Sequence, residues 1–333
     1  MNDVVFYKKP RLRNPCLICA WPGMGEVAFK AAMYLVDKLK CEEFAEIHPR
    51  DFFYLTGSAV EGGMLTLPGL PYGKFYYWKN PAARAVFHNE RNARGDIVIF
   101  VSNAQPDLSK AEDYCKRIIY AARLFKANTV ITFAAFPQAS DHTQQPKVWC
   151  AATSKEAINK LSRFSLPLLP DGQVSGMNGL FLGLAKKEGF DGFCLLGEIP
   201  LYTIQIDNPK ASYMVLKALS SILGIPLDLT GLLEEAHVVE GEINSLLDYL
   251  KLGHPSVNGP IGEDEVEKIK KSLSQLTRLP GSVKENIEKL FSQVNRDISK
   301  ANELKAELDK WNVYKDYEDR FLDLFKNSKE ENN

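Results

Sequence analysis

The chain has 333 residues, of which 45% are hydrophobic and 25% charged, and its formal net charge is −1. Basic and acidic side chains are nearly equal in number, at 41 and 42, which argues against a surface for nucleic acid or for an anionic membrane. The sequence contains no run approaching the ~20 apolar residues of a membrane span and no signal-peptide pattern, so we expect a cytoplasmic protein.

Cysteine usage agrees with a reducing compartment, because the six cysteines lie mostly in apolar runs. Cys16 and Cys19 have the spacing of a redox or zinc pair. They fall on a predicted strand, however, where residues three apart face opposite sides, and no second ligand pair follows. We therefore expect no metal and no cofactor.

Strands and helices alternate along the first two thirds of the chain. Several strand-like runs are continuously apolar, which is typical of strands buried on both faces. The predicted strands are 16–20, 44–47, 52–60, 64–67, 75–78, 97–101, 129–133, 148–152 and 193–196. The predicted helices are 26–39, 109–125, 154–164, 179–187 and 209–223. The pattern predicts an α/β sandwich around a mixed, mostly parallel central sheet, with an antiparallel part near the Gly62-Gly63 turn.

The composition changes after about residue 250. We predict an α/β domain at 1–250, a Gly- and Pro-rich linker at 251–262, a C-terminal helical hairpin at 263–325 and a frayed tail at 326–333. The hairpin carries an apolar stripe at helical spacing, from Val266 to Leu276 and from Ile287 to Trp311. This stripe must be covered by the α/β domain or by a neighbouring subunit, and the sequence leaves both choices open.

The first predicted strand ends in a tight turn, Trp21-Pro22-Gly23-Met24-Gly25, which leads directly into a helix. Closely spaced glycines and free helix amides can hold an anion. The spacing matches neither a dinucleotide-binding loop nor a phosphate loop, so no nucleotide is implied. The alternative is a structural turn in which the glycines allow close packing.

Ligands of open α/β sheets bind beyond the carboxyl ends of the strands. Four Gly- or Pro-bearing segments follow predicted strands, and the segment Ser175–Gly179 begins a helix that can lend its amides. We predict a ligand-binding site at this edge, formed by Trp21, Gly23, Met24, Gly25, Asn103, Gln105, Phe136, Gly176, Asn178, Gly179 and Glu198.

These side chains form a recognition set, and no catalytic residues can be assigned. The segments offer amides and one carboxylate, with no histidine beside a serine or cysteine and no nucleophile elbow. Glu198 is either a general base or an acceptor for backbone amides of a neighbouring loop. Asn103 and Asn178 suit turn chemistry as well as ligand contact.

Two aromatic-rich segments, Asp51–Tyr54 and Tyr76–Trp78, carry few interleaved basic residues. A nucleic-acid stacking platform is therefore not indicated. Either a packed sheet face or a contact between subunits explains them, and we predict the subunit contact.

Six blocks of the sequence together resemble the proteasome assembly chaperone 2 family, including bacterial and archaeal members once labelled ATP-grasp-like. The blocks are Ala20–Ala28, Asp51–Phe53, Phe75–Asn80, Asn103–Pro106, Gly176–Leu180 and Cys194–Pro200, within a resemblance from about Pro15 to Val239. It implies a three-layer α/β/α fold similar to nucleoside phosphorylases and hydrolases, and self-association. Some relatives dock on proteasomes by a C-terminal hydrophobic-Tyr-any tail; this sequence ends Glu331-Asn332-Asn333 and departs from that pattern.

Two functions follow from these observations. The first is a non-enzymatic, homo-oligomeric assembly or chaperone-like protein whose partners are copies of itself and another protein complex, without nucleic acid or membrane. The alternative is a small-molecule binding protein or enzyme for a nucleoside-like or amide-bearing compound, which would use the pocket at the carboxyl ends of the strands.

Overall fold

The computed structural model describes residues 4–54, 57–81, 95–252, 281–295, 297, 300–310, 313–314, 317–318 and 320–324. The chain divides into two compact units. The first comprises Met1–Phe136, Gln144–Ile199 and Asp207–His237, and the second comprises Pro137–Thr143, Pro200–Ile206 and Val238–Asn333. The second unit thus begins before the predicted end of the α/β domain at residue 250 and includes two short segments from earlier in the chain.

The strands of the described residues are β1 Val4–Phe6, β2 Cys16–Ala20, β3 Glu42–Ile47, β4 Ala59–Glu61, β5 Met64–Thr66, β6 Gly73–Trp78, β7 Ile97–Ser102, β8 Thr129–Gln138, β9 Val148–Ala152 and β10 Asp191–Pro200. Eight of them form one mixed sheet in the order β1-β3-β6-β7-β2-β8-β10-β9, and β4 and β5 form a separate two-stranded sheet.

The centre of the sheet is parallel, since β2 pairs in parallel with both β7 and β8. On one side β6 is antiparallel to both β7 and β3, so β3 runs in the direction of β7, β2 and β8. On the other side β9 is antiparallel to β10. The predicted mixed sheet with a parallel centre is confirmed, as is the Gly62-Gly63 turn between β4 and β5.

Helices cover both faces of this sheet, which confirms the predicted α/β/α sandwich. Helix α1 (Val27–Lys38) packs on α5 (Pro209–Leu223), and α2 (Ala111–Leu124) packs on α4 (Gly176–Lys187). Leu17 and Cys19 of β2 belong to the buried cluster that contains side chains of α2 and α4, while Ile18 between them is buried on the opposite face. The helices are α1 Val27–Lys38, α2 Ala111–Leu124, α3 Lys155–Leu161, α4 Gly176–Lys187, α5 Pro209–Leu223, α6 Thr230–Leu252, α7 Gly281–Val294 and α8 Ala301–Lys310.

Three elements differ from the sequence prediction. Strand β1 and helix α6 were not predicted, and of the strand predicted at 52–60 the described residues show only Ala59–Glu61. Phe52 and Phe53 instead pack edge-on against Tyr114, with ring centroids 4.7 and 5.7 Å apart. Phe75 and Tyr77 are likewise buried in the first unit. Phe52, Phe53 and Tyr77 are therefore core residues, whereas Tyr54 is exposed and Tyr76 and Trp78 are half-buried, so the predicted subunit contact through these two segments stays a prediction.

Within the second unit, α7 and α8 pack against one another. The predicted continuous helix over this region is two helices, since α7 ends at Val294 and α8 begins at Ala301, with Asn295 and Asp297 outside both. The apolar stripe of these helices is buried within a single chain, at Ile287, Phe291, Val294, Leu304 and Leu308. For these residues the covering surface is therefore intramolecular. The linker from residue 253, the first predicted hairpin helix and the tail 326–333 lie outside the described residues.

Hydrogen bonds of His142 join the two short segments of the second unit to each other and the first of them to α6. The backbone N–H of His142 donates to the Tyr202 hydroxyl at 2.9 Å, and the His142 Nε2 atom lies 2.9 Å from Oδ1 of Asn244. Over the residues described, no helix combines the length and the apolar character needed to cross a bilayer.

Candidate functional site

The turn after β2 has an unusual backbone, because two consecutive residues, Gly25 and Glu26, have φ of 59° and 50°. A Cβ at Gly25 would lie 3.1 Å from the Cβ of Asn208, so a larger residue would be both strained and crowded there. The Asn208 N–H donates to the Gly25 carbonyl at 2.8 Å. Close packing against the start of α5 thus accounts for this glycine. Gly23 is open by comparison, with nothing within 4 Å of a Cβ there, while Met24 is half-buried.

Trp21 is fully buried and lies between two phenylalanine rings, 5.5 Å from Phe100 and 5.6 Å from Phe181. Asn178, at the start of α4, is also buried and holds the backbone of Trp21 at both polar atoms. Its Oδ1 accepts from the Trp21 N–H at 3.1 Å, and its Nδ2 donates to the Trp21 carbonyl at 3.3 Å. Both residues are therefore engaged within the core.

The two amides after β7 are engaged in the same way. Asn103 Oδ1 accepts from the Tyr72 N–H at 2.7 Å, and Gln105 Nε2 donates to the Pro22 carbonyl at 2.8 Å. The Gln105 side chain lies over Gly176, where a Cβ would approach Nε2 to 3.4 Å.

Gly179 completes this packing. A Cβ at Gly179 would lie 1.8 Å from the Val174 carbonyl oxygen, so no side chain fits there. We call the contacts among Trp21, Pro22, Asn103, Gln105, Gly176, Asn178 and Gly179 the carboxyl-end junction, because they join the ends of β2 and β7 to the start of α4.

The sequence predicted that Phe136 and Glu198 lie in loops after strands. In the structure they lie within strands β8 and β10. Glu198 accepts two hydrogen bonds from the β9 region, from the Trp149 Nε1–H at 2.7 Å and from the Lys147 N–H at 3.0 Å. The Phe136 ring meets Trp149 edge-on at 5.5 Å. This carboxylate is an acceptor for neighbouring donors, which is the structural alternative that the sequence left open.

Sequence reasoning missed a charged cluster beside the turn. Lys30 of α1 forms salt bridges with Asp207, at 3.0 Å, and with Glu235. Burial alone would lower the pKa of Lys30, but hydrogen bonds to these two carboxylates outweigh it, and the pKa is raised. Burial, together with the charge of Asp207, also raises the pKa of Glu26. The i, i+4 spacing of Glu26 and Lys30 was the available sequence signal.

The thiols of the Cys16 and Cys19 pair are unreactive because they are buried. Burial raises the pKa of the Cys16 thiol to about 12, and it raises that of Cys19 as well. Both thiols are therefore protonated at neutral pH and are poor nucleophiles. Among the residues that the structure describes, no three His, Cys, Asp or Glu side chains lie together as metal ligands would.

A cleft of about 500 Å³ opens at the other edge of the sheet. Cys16, Ile97 and Thr129, which begin β2, β7 and β8, lie in its floor and are neighbours in the strand register. The cleft is thus at the amino ends of the parallel strands, opposite to the edge at which the sequence predicted a pocket. We call it the amino-end cleft.

Comparisons with known proteins agree with this architecture. A model of the PAC2 family matches residues 17–247. An uncharacterized protein of Methanocaldococcus jannaschii is 28% identical over 238 residues, 71% of this chain and 84% of that protein. The crystal structure of Pyrococcus furiosus PbaB, an archaeal proteasome activator, has a TM-score of 0.61 at 25% identity, covering 73% of this chain and 97% of that one. Pyrococcus furiosus PbaA, an archaeal homolog of proteasome-assembly chaperone, shares the fold with a TM-score of 0.54 at 23% identity, covering 73% and 95%.

Proposed function

Because the chain belongs to the PAC2 family, we propose that it is a non-enzymatic, protein-binding protein that assembles as a homo-oligomer and acts on another protein complex. The observation that carries this proposal is that the side-chain amides of the carboxyl-end junction bind the chain's own backbone. Asn103, Gln105 and Asn178, the amides that suit ligand recognition, are each hydrogen-bonded to the backbone of the same chain. Asn178 is buried, so a ligand that replaced its bonds to Trp21 would leave buried groups without a partner, which would oppose binding; Asn103 and Gln105 are exposed, but the atoms that suit recognition already bond the backbone.

The surface that suits a protein partner is the β4–β5 hairpin, residues 57–70. Four large apolar side chains are exposed on it: Val60 at 65%, Met64 at 72%, Leu65 at 76% and Leu67 at 74%. Val60 and Leu65 are directly opposed across the two strands and share one face. Monomeric proteins rarely leave such a group of apolar side chains together in water, and those that do commonly use it for a protein contact.

The hairpin is held at its base by the core. Phe53 packs against Tyr114 where the chain leaves the body, and Asn103 of the carboxyl-end junction holds the Tyr72 N–H where it returns. Gly62 and Gly63 both have positive φ, as the two-residue turn of a tight hairpin requires. The junction therefore presents the hairpin from a fixed base.

We assign this hairpin to the contact between copies of the chain. An isolated pair of strands is only marginally stable in water, and its outer edges leave backbone N–H and C=O groups unpaired. An identical hairpin supplies both a matching strand edge and a matching apolar face, so a two-fold contact can satisfy both copies at once. The hairpin's one charged residue, Glu61, is bordered by uncharged residues on both sides.

Native mass spectrometry of the full-length chain tests this assignment. We expect an oligomer that dissociates toward monomer when Val60 and Leu65 are both replaced by serine. Val238→Ser is the matched control, because Val238 is a similarly exposed apolar residue, at 61%, on α6. A wild-type chain that stays monomeric at every concentration contradicts self-association. An oligomer unaffected by the double substitution contradicts the role of the hairpin.

The protein complex on which the chain acts is proposed from the likeness to PbaB, which is described as a proteasome activator. A proteasome-type complex is therefore the first partner to test. Proteasome α subunits from the same source would be mixed with and without the chain, and their ring assembly or a stable complex followed by native mass spectrometry. We expect faster ring formation or a defined complex, and the absence of both contradicts this choice of partner.

A further inference from the structure

The amino-end cleft is a built cavity with its own chemistry. Its volume of about 500 Å³ lies within the range of small-molecule sites, roughly 300 to 1,000 Å³. One wall is formed by α3 and the short turn after it, and another by the last turn of α5 and the residues that follow. All of these elements belong to the first unit.

The floor of the cleft is fixed by backbone hydrogen bonds between strand starts. The Cys16 N–H donates to the Asp96 carbonyl at 3.1 Å, and the Asn128 N–H donates to the Pro15 carbonyl at 3.0 Å. Gly95 allows the closest approach, since a Cβ there would lie 1.8 Å from the Asn14 carbonyl oxygen. The cavity therefore does not have to be organised by a ligand.

The charged residues that line the cleft differ in whether other groups of the protein already bind them. Asp96 is buried, and its carboxylate oxygens accept from the Arg13 N–H at 2.7 Å and the Asn80 N–H at 2.9 Å. Lys160 and Arg163 are exposed and form no ion pair with any residue that the structure describes. Asp191 is an exposed carboxylate at the start of β10, so two cations face the cleft against one open anion.

Both walls of the cleft also carry apolar side chains. Leu161 and Phe164 lie on the same wall as the two cations, and Phe164 exposes 37% of its surface. Ile222 and Ile225 lie on the other wall, where the carbonyls of Ser220 and Ser221 are already capped by the N–H groups after α5.

From these observations we propose that the amino-end cleft binds a small amphipathic anion. Its apolar body would pack between Leu161, Phe164 and Ile225, and its carboxylate, phosphate or sulfonate group would bind Lys160 and Arg163. Arginine and lysine are the side chains best suited to such oxyanions. Burial raises the pKa of the Cys16 thiol in the floor to about 12, so this thiol is protonated and is a poor nucleophile. This binding is independent of the proposed assembly function.

The test uses 8-anilinonaphthalene-1-sulfonate as an anionic aromatic probe and N-phenyl-1-naphthylamine as its uncharged analogue. We expect one saturable fluorescent site for the anion and much weaker binding of the neutral analogue. Replacing both Lys160 and Arg163 by glutamine should weaken binding of the anion by about tenfold or more, as loss of a charged hydrogen bond predicts. Lys155→Gln, on the same helix but outside the lining, should leave binding unchanged.

A second variant removes the cavity rather than the charge. Ser221→Trp, at an exposed lining position, should fill the cleft and weaken both probes, while Leu65→Ser on the hairpin should weaken neither. Dodecanoate carries a carboxylate and dodecyl phosphate carries a phosphate, so competition with them tests both head groups. Displacement of the fluorescent anion by either compound, but not by the uncharged dodecanol, supports the proposal. Binding that survives both cleft variants, or that dodecanol displaces as well as the anions do, overturns it.

Discussion

The carboxyl-end junction and the amino-end cleft lie at opposite edges of one sheet. Polar side chains of the junction are hydrogen-bonded within the chain, whereas those of the cleft face an open volume. At the junction, Asn178 and Gln105 are hydrogen-bonded to backbone atoms of Trp21 and Pro22. In the cleft, Lys160 and Arg163 face an open volume. Residue type alone does not separate these cases, since both edges carry groups suited to recognition. The hydrogen bonds of these side chains do separate them, because an amide already bonded to the backbone has less left to offer a ligand than a cation without an ion pair among the described residues.

The largest effect that tests this contrast should come from Asn178→Ala. The substitution leaves the buried N–H and C=O of Trp21 without their partner, and we expect a loss of about 2 to 4 kcal/mol in the free energy of unfolding. Urea denaturation measures it, with Asn159→Ala, at an exposed position on α3, as the control. A loss below about 0.5 kcal/mol, the range of an ordinary surface substitution, would mean that the clamp is not structural.

A second pair of variants tests close packing within α4. Gly179→Ala places a Cβ against the Val174 carbonyl and should destabilise the fold by about 1 to 3 kcal/mol. Gly183→Ala on the same helix meets nothing within 4 Å and should stabilise it by about 0.5 to 1 kcal/mol. Thermal or urea unfolding gives both values. Equal effects of the two substitutions would show that the junction is not tightly packed.

We expect a smaller, pH-dependent effect on the free energy of unfolding from substitution of Glu26, which lies beside the junction. Its pKa in the folded state is raised above the ordinary value of 4.5, so the folded state binds its proton more tightly than the unfolded state does. Ionisation above that pKa therefore costs stability. The stability of Glu26→Gln relative to the wild type should rise as the pH increases from 4.5 through the folded pKa and then level off.

Urea unfolding at acidic and neutral pH measures this difference. Glu156→Gln, exposed on α3, controls for the loss of one negative charge. A difference between Glu26→Gln and the wild type that stays constant with pH would contradict the raised pKa.

The smallest effect should come from the cleft. Replacing both Lys160 and Arg163 by glutamine removes two exposed charges without an ion pair among the described residues, and we expect a stability change within about 0.5 kcal/mol. The same unfolding assay measures it beside Asn178→Ala. A large loss would mean that these side chains support the fold, as the amides of the junction do.

The sequence predicted the elements whose signals are local. Strand β2 and helix α5 have the predicted bounds, because the first is a short apolar run ending at Trp-Pro-Gly. Helix α5 begins at Asn208-Pro209 and ends at Gly224, which are strong capping signals. Strands β8 and β10 were predicted too short, since Pro137, Gly197 and Pro200 are residues that usually interrupt strands. That error placed Phe136 and Glu198 in loops.

The site was less predictable, because its decisive facts are contacts between distant residues. Asn178 and Trp21 are 157 residues apart in the chain, and the sequence around each residue carries no sign that the two form hydrogen bonds. The cleft has no motif at all, since its walls come from two helices and its floor from four strand starts. The exposed hairpin was visible only as a Gly-Gly turn between short apolar runs.

The central claim is that the β4–β5 hairpin joins copies of this chain while the carboxyl-end junction serves the fold. Amide hydrogen exchange of the full-length protein at high and low concentration tests it most directly. We predict that residues 59–66 exchange more slowly at high concentration, where copies associate, and that the amides of Trp21 and Tyr72 exchange equally slowly at both. Hairpin exchange that does not depend on concentration would contradict the account.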